Sequence, residues 1–72
     1  MVKILRVMIF YRDFLDGMFP GIRRRDQIKQ ACQMIFGPNF LGIMGEEIQY
    51  NDRTDGWTVR AVCQREEQCL NV

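Results

Sequence analysis

The sequence predicts a single α+β domain, residues 1–72, built on a small mixed or antiparallel sheet of three to five strands with one helix packed on it. Three stretches carry this prediction. Val2 to Tyr11 is rich in β-branched and aromatic residues and contains no Gly or Pro. Asp26 to Phe36 sets Ile28, Ala31, Cys32 and Ile35 at helical spacing. Trp57, Val59, Ala61 and Cys63 alternate with Thr58, Arg60 and Gln64, the period of a strand with one buried face. With 72 residues, 47% hydrophobic and 26% charged, the chain has globular composition and room for one core. A core of this size supplies only about 3 to 5 kcal/mol net, so a partner subunit or tight loop packing would add to it.

In the first strand Leu5, Val7, Ile9 and Tyr11 share one face with Lys3, while Ile4, Met8 and Phe10 share the other with Arg6. Both faces are largely apolar, which suits a strand inside a sheet, with one face on the core and the other partly covered or used for contact. A helix here would be apolar nearly all round. Arg12 to Arg25 contains Gly17, Pro20 and Gly21, so turns are expected at Asp16-Gly17 and Pro20-Gly21, with a short returning strand around Met18 to Arg23. Asp26 is placed to cap the helix that follows, Gly37 to end it with a left-handed residue, and Pro38 to stop it. Phe40 to Met44 reads as an apolar loop. Glu47 to Asn51 reads as a half-exposed strand with Ile48 and Tyr50 inward, and Asn51 to Gly56 as a hairpin loop leading to the strand at Trp57. Arg65 to Gln68 is expected to turn or fray, and Cys69 to Val72 to form a short strand or tail.

Ten Lys and Arg against nine Asp and Glu leave a formal charge of +1, too little to gather nucleic acid or an anionic membrane by net field. No window approaches a membrane span, and Lys3 and Arg6 interrupt the apolar start where a signal peptide would need continuity. The chain has no His, and Cys32, Cys63 and Cys69 form no CxxC pair. No metal site, cofactor or catalytic centre is predicted, and reduced thiols in the cytoplasm are expected. Cys32 and Cys63 fall on inward faces and read as small core hydrophobes; Cys69 has no neighbour in sequence to activate it. Glu46-Glu47 and Asp52 with Asp55 lack the ligand spacing of a calcium loop and read as solvated charges.

The expected function is a small protein-binding module, an adaptor or inhibitor and not an enzyme. It would act through a sheet edge and the apolar residues Phe14, Leu15, Met18, Phe19, Phe40, Leu41 and Met44, which the sequence places in loops. The bland reading of those loops is that they cap the open end of the core. The partner would be another protein, or a second copy in a homo-oligomer. The alternative is a nucleic-acid binder using Arg23, Arg24, Arg25 and Lys29 near the helix start. Its bland reading is a solvated loop.

The order of strand, turn segment, helix and strand-loop-strand is similar to the ubiquitin-like β-grasp. Lys3 on the first strand, and Tyr50, Asp52, Asp55 and Gly56 before Trp57, resemble the basic and acidic motifs of the Phox-and-Bem interaction domain. Arg53 and Thr54 stand where that acidic loop carries further acids, and the spacing to Gly56 is one residue longer. The resemblance implies front-to-back pairing of Lys3 in one molecule with Asp52 and Asp55 of the next.

Overall fold

The computed structural model describes residues 2–44 and 48–65. Its elements are β1 (Val2–Tyr11), α1 (Arg12–Met18), α2 (Arg24–Phe36), a 3-10 turn (Gly37–Asn39), β2 (Phe40–Ile43), β3 (Gln49–Asn51) and β4 (Gly56–Arg65). The architecture is α+β, with a four-stranded antiparallel sheet and two helices.

β4 is the central strand. β1 pairs along its whole length, from Val2 opposite Arg65 to Tyr11 opposite Gly56. The other side of β4 is shared end to end: β2 pairs with its second half and β3 with its first. Alternation puts Val59, Ala61 and Cys63 on one face with Ile4, Met8 and Phe10, and α2 closes that face with Ile28, Ala31 and Cys32. The six named residues of β4 and α2 are all essentially inaccessible. Burying a side chain of this kind contributes roughly 1.5 to 3 kcal/mol for the larger aliphatics, so the fold is held by the meeting of α2 and β4.

Five expectations are corrected. Arg12 to Met18 is helical, not a turn, and no strand forms around Met18 to Arg23. Gly17 sits inside α1 because that helix is fixed by packing: Leu15, within it, and Phe19, its C-terminal capping residue, drop into the core. Second, α2 begins at Arg24 with Arg23 as its cap residue, and Asp26 lies in the first turn instead of capping it. Third, Phe40 to Ile43 is a strand, where a loop was expected. Its register shifts between Phe40 and Gly42, and Gly42 has φ of 144°, which only glycine adopts readily. Fourth, Tyr50 is half-exposed at the rim instead of inward. Fifth, β1 is the strand expected, but it lies at the edge of the sheet where a strand inside it was expected; the Gly37 helix end with its positive φ, the β3–β4 hairpin and the alternation of β4 match expectation. Glu46, Glu47, Cys69 and the segment 66–72 lie outside the described residues.

Gly56 lies tight against β1. A Cβ there would stand 2.9 Å from the backbone carbonyl oxygen of Phe10, so any larger residue would push the strands apart.

Candidate functional site

Two groups of side chains outside the core have defined geometry. The first ties α1, α2 and the hairpin together. The Arg12 guanidinium donates through Nε to Asp55 at 2.9 Å, and the Tyr50 hydroxyl donates to the same carboxylate at 2.8 Å. Arg12 also lies 5.1 Å from the Trp57 ring centre, and Arg24 lies 4.3 Å from it. Arg24 donates to Asp16 and to Gln27 Oε1, each at 2.6 Å. Gln27 is buried and donates through Nε2 to the carbonyl oxygens of Phe19 at 2.8 Å and Leu15 at 3.3 Å, and to Asp16 at 3.2 Å. The Phe19 carbonyl, just past the end of α1, thereby gains a donor, and the Leu15 carbonyl, which already accepts from the Phe19 amide at 2.9 Å, gains a second.

Hydrogen bonds from Tyr50 and Arg12 hold the Asp55 carboxyl below its ordinary value, and those from Arg24 and Gln27 do the same for Asp16. A carboxyl that is more acidic in the folded chain stabilises the fold fully above its unfolded pKa, and this is lost as pH falls through the folded value. The urea midpoint is therefore expected to fall as pH drops below about 5, and to fall less in an Asp16→Asn, Asp55→Asn double variant. Equal slopes in the two proteins would contradict these pairings. Burial pushes the Cys32 thiol up to about 11, with the neighbouring Cys63 adding to it. Burial also raises Cys63, against the opposing influence of Arg6. Both are protonated core thiols at neutral pH. Among the described residues no cluster of His, Cys, Asp or Glu is arranged to hold a metal.

The second group is the face of the sheet away from the helices. Leu5, Val7, Ile9 and Tyr11 of β1 stand there, all exposed, with Val7 at 63% the most open. Across from them on β4 are Val62, Arg60, Thr58 and Gly56. Among the described residues no element packs on this face and no strand pairs the outer edge of β1. Ten residues long and without Pro or Gly, this edge carries little of what usually blocks strand addition: only Lys3 and Arg6 place charge on it.

The residues expected to bind partners are divided by the fold. Leu15 and Phe19 are buried and belong to the core, because α1 turns them onto α2 and the sheet. Phe40 is half-buried against that core and stacks on Phe36 with ring centres 6.5 Å apart. Phe14, Met18, Leu41 and Met44 are exposed. Lys3 sits at the opposite end of β1 from the hairpin; Asp52 is exposed in the turn, whereas Asp55 is held by Arg12 and Tyr50 of the same molecule. Of the arginine run, Arg24 is engaged internally, Arg23 is within 4.0 Å of Asp26, and Lys29 is exposed on α2. The apolar odd face of β1 is visible in the sequence but its place at an edge is not, since nothing local shows which strand lies at an edge. No helix among the described residues is long and apolar enough to cross a membrane. Comparison with protein families, with curated proteins and with solved structures found no match.

Proposed function

We propose that this chain is a protein-binding module of the adaptor or inhibitor kind, which takes an additional strand on the outer edge of β1 and seats apolar side chains on the open face beside it. The observation that carries this reading is the coincidence of a ten-residue edge, unpaired among the described residues, with the exposed row Leu5, Val7, Ile9 and Tyr11. Main-chain bonds along such an edge provide affinity, and the alternate side chains select the partner. Phe14, Met18, Leu41 and Met44 supply further apolar contact near the ends of the sheet. The alternative of nucleic-acid binding draws less support, since Arg24 is committed to Asp16, Gln27 and Trp57. The front-to-back pairing implied by the Phox-and-Bem resemblance is likewise weaker, since Asp55 already has its cation.

Immobilised protein should retain specific proteins from extract in a manner that survives raised salt and is lost in Val7→Lys, a substitution at an exposed position. Retention indifferent to Val7→Lys, but abolished by salt and by Arg23→Ala, Arg25→Ala and Lys29→Ala together, would establish the nucleic-acid reading instead.

A further inference from the structure

We infer that the partner for the β1 edge is a second copy of this chain, joined antiparallel about a two-fold axis at Val7 so that two four-stranded sheets become one. This rests on the reading of β1 as the binding edge and names what binds there.

The backbone fixes which residues can pair. In an antiparallel ladder, facing residues either exchange both hydrogen bonds or neither, in alternation. Just beyond the Tyr11–Gly56 pair, Arg12 N donates to the Asp55 carbonyl at 3.0 Å. On the far side of β4, Met44 N donates to the Arg60 carbonyl at 2.7 Å, which turns the peptide groups of Arg60 toward β2 and away from Val7. Both bonds set the same phase. The even positions of β1 bond to β4, and Lys3, Leu5, Val7, Ile9 and Tyr11 direct their N–H and C=O groups outward. A second β1 must therefore bring odd positions opposite odd positions, which also keeps the two open faces on the same side.

Charge and length then select one register. Centred on Arg6, the pairing sets two guanidinium groups directly opposite each other, and like charges in facing positions repel. Centred on Met8, it leaves Lys3 and Ile4 beyond the ladder. Centred on Val7, it runs from Lys3 to Tyr11 with Val7 facing itself, Leu5 facing Ile9, Arg6 facing Met8 and Ile4 facing Phe10. No cation faces a cation, and each Lys3 ammonium meets a Tyr11 ring, a favourable pairing of charge and aromatic face. On the helix side, an open depression of about 250 Å³ lined by Arg6, Val7, Met8, Ile35 and Phe36 lies at the middle of this edge. Met8 of the second copy would enter it, next to the exposed Met34 and Ile35 of α2. Because each copy uses the only long open edge among its described residues, the pairing closes at two.

Sedimentation equilibrium over a concentration series, in low and raised salt, tests this. The wild type is expected to pass from monomer to dimer and no further, with little dependence on salt. Val7→Lys should weaken the dimer by roughly tenfold or more, because it sets like charges on the axis, while its circular dichroism stays that of the wild type. A Leu5→Glu chain mixed with an Ile9→Lys chain should form the mixed dimer in preference to either pure one, since only the Val7-centred register brings those positions together. A wild type monomeric at every concentration would overturn the inference, as would a dimer unaffected by Val7→Lys or association that grows beyond two. If the wild type is monomeric and Val7→Lys still abolishes retention of other proteins, self-pairing falls while the binding reading stands.

Discussion

Leu15→Ala is expected to leave the chain largely unfolded at 25 °C, whereas Phe14→Ala, one residue earlier, should leave it folded. Leu15 is wholly inaccessible and touches the centre of the core. Removing such a side chain costs about 2 to 5 kcal/mol through lost transfer energy and the cavity left behind. That is comparable to the whole stability of a domain this small, about 3 to 5 kcal/mol. Phe14 is 42% exposed, and its ring lies beside that of Phe10 with centres 6.4 Å apart. An aromatic pair of that kind contributes about 0.5 to 1.5 kcal/mol beyond area. Urea titration followed by circular dichroism separates the two. If Phe14→Ala proved the more damaging, α1 would have to be rotated about its axis relative to the sheet.

Gln27→Leu is the second large expected loss. It keeps side-chain volume but removes the donor to Leu15 and Phe19 and the acceptor for Arg24. A buried carbonyl left without a donor costs about 1 to 3 kcal/mol, and the variant takes the side-chain donor from that of Phe19, while the Leu15 carbonyl keeps the Phe19 amide. The cost should therefore fall at about 1 to 3 kcal/mol, with α1 the first part to lose protection. A neutral or stabilising result would mean that water reaches the end of α1, and would remove Gln27 as the tie between the two helices.

These two predictions concern the part of the fold that the sequence hid. β1, α2 and β4 were legible because each repeats its apolar residues at one period over most of its length. α1 was not: it has seven residues with Gly17 among them, too short and too poor in intrinsic propensity to form alone. It exists because Leu15 and Phe19 are taken into the core and Gln27, far along the chain, closes its end. β2 was hidden for a related reason. Gly42 interrupts the alternation, and only pairing with β4 shows Phe40 to Ile43 to be a strand. The same limit governed the candidate site. The sequence revealed that both faces of β1 are apolar, but the open edge depends on β4 being central, a long-range fact that no local pattern encodes. Apolar residues near glycines suggested exposed anchors, and the fold divided them, burying Leu15 and Phe19 while leaving Phe14, Met18, Leu41 and Met44 outside.

The central claim is that β1 carries an open edge built for another strand, and amide hydrogen exchange along β1 reads that edge residue by residue. In dilute protein the amides of Leu5, Val7, Ile9 and Tyr11 should exchange rapidly while those of Ile4, Arg6, Met8 and Phe10, bonded to β4, are protected. Raising the concentration until the dimer forms should slow the first set and leave the second nearly unchanged, and Val7→Lys should keep the alternation at every concentration. Uniform protection of odd and even amides in the dilute monomer, or an alternation that persists unchanged in the associated protein, would contradict it.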